Sequence, residues 1–461
     1  MRIRLLLPAA ALLAVLAAVP AAAAPYAGDR VVVRYEEGTS RAERADAQRD
    51  TGTGFEDALP GGSRTLTIED GDSVAETVRE LRREPGVEYA VPDFRLRKAQ
   101  GGGATPGPGP GPAPAPFVPN DPGRGGSGPD WRELQWNFAG QFGVNAPLAW
   151  SYTRQAGAPG GAGAVVAVID SGVAYRNAGR FRRAPDLYSK RWVKPYDFIE
   201  EDRLPLDEDG HGTHVAGTIG QATNNKIGVT GLSYGVKIMP LRVLDEDGNG
   251  DGSDLVRALR YAARNGADVI NMSVEYTSDL RAADIPDVIA AMRYAHDRGA
   301  VLVGVAGNGA EGQLSYPARY SRAMAVGATT VGGCLADYSN EGSGIDVVAP
   351  GGGQDTAPGA SDWDRAHCDP ARRSRLIYQQ TLWRGVSRFA LVGFEGTSSS
   401  SPHVAAAAAL VIATVRARGG GTLTPTAVQE RLQATARDIG APGYDKRYGH
   451  GLLDAAAAVA P

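Results

Sequence analysis

The chain holds only two cysteines among 461 residues, Cys334 and Cys368. That scarcity excludes a small scaffold built on disulfides. It leaves one pairing open, either a bond or two free thiols. Six histidines leave little material for a His-rich metal centre. Neither sign of charge dominates, since 48 basic and 52 acidic residues give a formal net charge of −4. The chain therefore lacks an electrostatic footprint for nucleic acid or an anionic membrane as partner. Long apolar runs are also missing beyond the first residues, so no later stretch is expected to span a membrane. What is plentiful is glycine, 61 residues, and proline, 30. A hydrophobic share of 43% is enough for a sizeable core. The length predicts two to three domains.

Organisation follows from local pattern. Arg2 and Arg4 precede an apolar run over 5–19, and small residues fill 21–24. The run is shorter than the roughly 20 residues of a spanning helix. This is the pattern of an export signal over 1–24, and it predicts secretion with no membrane attachment after removal. Residues 25–98 are a second unit. Strands are predicted at 31–35, 64–68 and 87–91, and helices at 40–49 and 73–83. The unit is read as βαββαβ, a small α+β fold with an open sheet, of whose four strands three carry a pattern. Residues 101–116 are Gly, Ala, Pro and one Thr only. Such a tract cannot bury apolar area, so 99–117 is read as an extended linker.

From 118 to 461 short apolar runs alternate with helical stretches. Strands are predicted at 164–169, 236–244, 268–272, 300–305, 323–326 and 345–348. Helices are predicted at 211–220, 253–265, 285–298, 398–417 and 425–435. Continuous apolar strands separated by helices predict an α/β fold, a parallel β-sheet flanked by helices. Catalytic groups in such sheets gather at the carboxyl ends of the strands.

Three motifs carry chemistry. Asp170 directly follows an apolar strand in Val168-Ile169-Asp170-Ser171-Gly172, which sets it at the sheet edge. Alone, that position suits a metal or a ribose equally well. His211 and His214 lie in Asp209-Gly210-His211-Gly212-Thr213-His214-Val215-Ala216-Gly217. His211 reads as a general base and His214 as a packed structural residue; a zinc pair would need a third ligand. Ser398 opens a helix in Gly396-Thr397-Ser398-Ser399-Ser400-Ser401-Pro402-His403-Val404. The helix amides and dipole favour negative charge developing beside that hydroxyl. A plain capping serine cluster is the alternative.

Together these motifs resemble the subtilisin-like serine peptidases, the subtilases, over roughly 118–461. Tyr448-Gly449-His450-Gly451-Leu452-Leu453-Asp454 resembles the closing segment of that family. The resemblance implies a serine endopeptidase acting on proteins and peptides as a monomer, with no cofactor required for the chemistry. It makes Ser398 the nucleophile, His211 the base and Asp170 the group that orients it. Asn308, in Ala306-Gly307-Asn308-Gly309, becomes the oxyanion donor. Ser273, Val274 and Glu275 become the strand that pairs with substrate, and Gly250 borders the groove.

Glu275 stands where the family has glycine. A carboxylate there favours Lys or Arg before the cut bond, unless it is solvated and points away. The acidic stretch 245–254 resembles a calcium loop but has Val256 at the twelfth position, where Glu is needed. It is read as an acidic wall of the groove. Structural Ca²⁺ is implied at Asp186 and Asn225, in a loop one residue longer than the plainest family pattern. Residues 25–98 resemble the propeptide, an intramolecular inhibitor removed by self-processing. Its tail, Arg95-Leu96-Arg97-Lys98, would lie in the groove as the first product. Residues 351–393 read as an insertion that a Cys334–Cys368 bond would pin near the site.

Overall fold

In the computed structural model, residues 26–98, 116–124, 131–187, 191–356, 368 and 374–461 are described. The leader over 1–24 and most of the Gly/Pro linker lie outside the described residues. The N-terminal unit runs β1 (Tyr26–Tyr35), α1 (Arg41–Asp50), β2 (Thr53–Ala58), β3 (Arg64–Ile68), α2 (Val74–Leu81) and β4 (Val87–Lys98). The strands form an antiparallel sheet in the order β4-β1-β3-β2. Alternation explains this: Val31, Val33, Leu66 and Ala90 turn inward against Val74, Val78 and Leu81 of α2. Ser40 and Glu43 close a reciprocal capping box at the start of α1. Strand β2 carries glycine and acids, so its sequence shows little of the apolar alternation that marks β1.

The second unit begins with α3 (Trp131–Leu134), α4 (Trp136–Ala139) and α5 (Ala146–Gln155). There follow β5 (Val165–Asp170), β6 (Tyr196–Asp197), α6 (His211–Gly220), β7 (Lys237–Arg242) and β8 (Asn249–Asp251). Next come α7 (Gly252–Arg264), β9 (Val269–Met272), β10 (Val274–Glu275), α8 (Pro286–Asp297), β11 (Val301–Val305) and β12 (Ala323–Thr329). The chain ends with β13 (Val347–Pro350), β14 (Ile377–Leu382), β15 (Phe389–Phe394), α9 (Thr397–Ala417), α10 (Pro425–Ala434) and α11 (Ala455–Val459).

Seven strands make one parallel sheet in the order β13-β12-β11-β9-β5-β7-β6. Its central strands are buried throughout, which explains their near-continuous apolar sequence. Helix α9 packs against β9, β11, β12 and β13, on the face that also meets α5 and α10 across the core. Its alanines, Ala405 through Ala409, are all fully buried and let the helix lie close to the strands. By length and composition α9 alone, among the described residues, could cross a membrane. This corrects the sequence expectation that no later stretch would qualify. The physical reason is that 94% of that apolar window is the core of this domain.

Part of the segment read as an insertion is the antiparallel hairpin β14–β15, which packs against α6 and leads directly into Ser398. Cys334 and Cys368 are joined in a disulfide with Cα atoms 4.6 Å apart.

Candidate active site

Two glycines set the histidine. Gly210, at φ +104, turns the chain into α6, so that His211 is the first helical residue. Gly212 follows, and a Cβ there would meet the Gly172 carbonyl oxygen at 2.2 Å. Only glycine lets α6 approach the end of β5 this closely. At that approach His211 Nδ1 lies 2.7 Å from Asp170 Oδ1, both side chains being buried. The bond to the carboxylate places the ring proton on Nδ1 and makes Nε2 the basic nitrogen. Ser398, second residue of α9, is buried as well. Helix α9 packs against α6, the helix that begins with His211.

Asn308 is held at both ends. Its Oδ1 accepts from Thr397 N at 2.8 Å and Thr397 Oγ1 at 3.0 Å. Its own backbone N–H donates to Glu275 Oε2 at 3.2 Å. Its Nδ2 is buried and finds no partner among the described residues. A fixed amide donor beside the residue that precedes Ser398 is the arrangement an oxyanion requires. Ser273 joins the neighbouring strand to α9, with its Oγ 3.3 Å from Ser398 O and 3.0 Å from Ser401 Oγ. Glu275 is only 2% exposed. The alternative of a solvated Glu pointing away is therefore corrected: burial and the Asn308 amide hold it inside.

The groove is filled by the chain's own N-terminal unit. Strand β4 runs antiparallel between β8 and β10. Arg95, Leu96 and Arg97 stand opposite Asp251, Gly250 and Asn249. Arg97 and Lys98 stand opposite Glu275 and Val274. This is why β4 extends past residue 91, where the sequence pattern placed its end: its second half pairs with the other domain. The Leu96 side chain is buried in a cluster with Leu255 and Tyr276. In the acidic stretch 245–254, Asp245 Oδ1 accepts the turn amides of Asp247 and Asn249 at 3.0 and 2.8 Å. Asp251 pairs with Arg30 of β1 rather than with the strand in the groove.

Two further histidines, His214 and His403, are held in buried structural contacts. His214 bonds the Ile377 carbonyl oxygen at 3.0 Å and stacks on Phe394 with centroids 4.3 Å apart. Burial pushes it down to about 3, so it stays neutral. His403 Nδ1 lies 2.8 Å from Ser399 O and its Nε2 2.8 Å from Asn137 Nδ2. Burial lowers it to about 4.

Asp186 and Asn225 come together as the sequence suggests, with Asn225 Nδ2 2.6 Å from Asp186 Oδ1. A residue the sequence reading missed joins them. Asp121 is fully buried and accepts Asn224 N and Asn225 N at 2.8 and 2.9 Å. Burial is the main cause holding both carboxyls above the usual range, Asp186 at about 7, and Asp121 adds repulsion to Asp186. Neither acid forms an ion pair among the described residues, and these two acids are not part of a cluster of three or more His, Cys, Asp or Glu there. Two buried carboxyls without a cation among the described residues, beside the Asn225 side-chain amide, offer the oxygen ligands that a hard ion such as Ca²⁺ takes. Asp207 and Asp93 were also missed; the signals were an acid four residues before His211 and an acid ahead of the groove tail.

The fold and site define the class: an α/β serine peptidase lying beneath its own N-terminal domain. Residues 161–451 match the model of the subtilase family, and residues 14–93 match the fervidolysin N-terminal prodomain. The chain belongs to the subtilase family. It is 30% identical over 427 residues to a thermophilic serine proteinase of Bacillus sp. (strain AK1), covering 92% of this chain and 86% of that one. It is 33% identical over 299 residues to subtilisin Savinase of Lederbergia lenta, covering 65% and 91%. A protease structure from Pseudoalteromonas arctica PAMC 21717 superposes with TM-score 0.58 at 30% identity, covering 74% of this chain and 99% of that one. Fervidolysin from Fervidobacterium pennivorans superposes with TM-score 0.63 over 95% of this chain and 61% of its own. Its 22% identity speaks for the fold alone.

Proposed function

We propose that this chain is the precursor of a secreted endopeptidase in which Asp170, His211 and Ser398 form the catalytic triad and Asn308 stabilises the oxyanion. The observation that carries the reading is the strand β4, which lies in the groove as a peptide substrate would and reaches Val274, next to Ser273 and Ser398.

His211 Nε2 takes the Ser398 hydroxyl proton as the oxygen attacks a peptide carbonyl carbon. Asp170 holds the imidazole in place and stabilises its cation. Asn308 Nδ2 and the Ser398 amide receive the negative oxygen. The C–N bond breaks, the imidazolium returns its proton to the leaving amine, and an ester remains on Ser398. Water, deprotonated by His211, then hydrolyses that ester. Subtilases need no cofactor for this chemistry.

The same reading covers the finer points. The leader-like residues 1–24 support secretion. The fit of the prodomain in the groove supports self-inhibition and self-processing in the region that follows Lys98. The buried Glu275 carboxylate at the groove rim supports a preference for Lys or Arg before the cut bond. Asp121, Asp186 and Asn225 would hold a structural Ca²⁺, which supplies charge to the loop and takes no part in the chemistry. The test is Ser398→Ala, which should lower turnover by on the order of 10⁶ and leave the precursor intact. Normal casein hydrolysis by that variant overturns the assignment.

A further inference from the structure

Asp207 lies four residues before His211 and is almost wholly buried. Five donors converge on its carboxylate. Oδ1 accepts from Ser171 Oγ at 2.9 Å, Gly210 N at 2.8 Å and Asp209 N at 3.1 Å. Oδ2 accepts from Thr213 N at 2.9 Å and Thr213 Oγ1 at 2.5 Å. Helix α6 has Gly210 at its N-cap and no capping side chain there. Asp207 therefore satisfies amides that the helix start leaves without partners.

The two hydroxyls do more than satisfy the acid. Ser171 Oγ, while donating to Asp207, accepts from Gly212 N at 2.9 Å. Thr213 Oγ1, while donating to Asp207, accepts from Ala174 N at 2.9 Å. Both bridges join the chain leaving β5 to the first turn of α6. Ser171 is the neighbour of Asp170, and Gly210 and Gly212 flank His211. The relative position of the two partners thus rests on this buried network as well as on their own 2.7 Å bond.

We propose that Asp207 is a positioning residue for the reaction: through Ser171 and Thr213 it sets the alignment of His211 against Asp170, without touching substrate. The proposal rests on the triad reading above. Asp207→Asn keeps the volume but turns an amino group toward amide and hydroxyl donors. A misplacement near 1 Å in a reacting constellation lowers rate by about 10². Per active site counted with a fluorophosphonate, kcat of Asp207→Asn should fall by about 10- to 100-fold with KM within twofold. The far-downfield proton between His211 Nδ1 and Asp170 should shift or broaden in the NMR spectrum. Ser171→Ala, which removes one bridge and keeps the acid, should give a smaller loss of the same kind. It carries the test if Asp207→Asn does not fold. The proposal is overturned if the variants lose only titratable sites while kcat per site and the proton signal match wild type. Wild type that fails to label with the fluorophosphonate would instead overturn the triad reading.

Discussion

Asp93, on the strand that leads into the groove, caps a helix of the other domain. Its carboxylate accepts from Ser253 N at 3.2 Å and Ser253 Oγ at 2.9 Å, at the start of α7. The helix's own N-cap residue, Asp251, makes no side-chain cap bond. Part of the α7 cap is therefore supplied by the prodomain.

That contact predicts how release depends on pH. Asp93 faces Asp251, Asp254, Arg30 and the Tyr276 hydroxyl. Burial, then Asp251, pushes Asp93 up to about 6, and burial pushes Asp254 up to about 7. The assembled state binds more protons than the separated one, so rising pH weakens the assembly. The cleaved prodomain should stay bound at pH 5 and leave as pH rises through 6 to 7. Its inhibition constant should weaken by on the order of 10-fold between pH 5 and 7, the part of the Asp93 shift that falls in that range. Asp93→Asn should flatten this dependence. An inhibition constant independent of pH in wild type would contradict the account.

Asn308 gives a second prediction. Because its Oδ1 is committed to Thr397, Nδ2 is its only free donor. Asn308→Leu should lower kcat by about 10² to 10³ with KM little changed. Steady-state kinetics on a peptide amide will show it, and equal losses in binding would argue for a collapsed loop instead.

Glu275 separates charge from shape. Glu275→Gln keeps an acceptor for Asn308 N but removes the charge. It should lose most of any preference for Lys or Arg before the cut bond, while turnover of apolar peptides stays within a few fold. Glu275→Gly should also slow apolar peptides, since Asn308 loses a support. A fluorogenic panel in which wild type shows no basic preference removes the charge role.

Calcium removal tests the Asp121–Asp186 pair. An ion present at about 1,000 times its Kd contributes about 4 kcal/mol. For a protein of this size that corresponds to a Tm shift of about 4–6 °C. Chelator should lower Tm by that order, and Asp121→Asn should lose the chelator effect. A wild-type melt unmoved by chelator would count against a structural ion.

The disulfide closes a loop with a sequence separation of 34. In the chain-entropy account such a loop contributes about 3–4 kcal/mol. Reduction, or Cys334→Ser, should lower the thermal midpoint measurably, and scanning calorimetry with and without reductant checks it.

Helix positions were readable because they depend on neighbours. The pattern expected at 211–220 is α6 to the residue, and the alanine-rich stretch after Ser398 is the buried α9. The pairing partners were not readable in the same way. Thr53–Ala58 carries little alternation, so its strand is decided by the sheet that receives it. The second half of β4 reads as a polar tail until β8 and β10 supply its hydrogen bonds. Asp121 and Asp93 lack a local signature because their donors come from elsewhere: Asn225 lies 104 residues from Asp121, and Ser253 lies 160 from Asp93.

The sequence by itself determined the family, the layered architecture and the catalytic candidates, because strand and helix periods and tight glycine motifs are short-range properties. The tertiary structure alone decided that Glu275 is buried, that Asp93 caps α7, and that Asp207 ties β5 to α6. These are matters of which distant groups meet when apolar faces are buried, and chain order does not encode that directly.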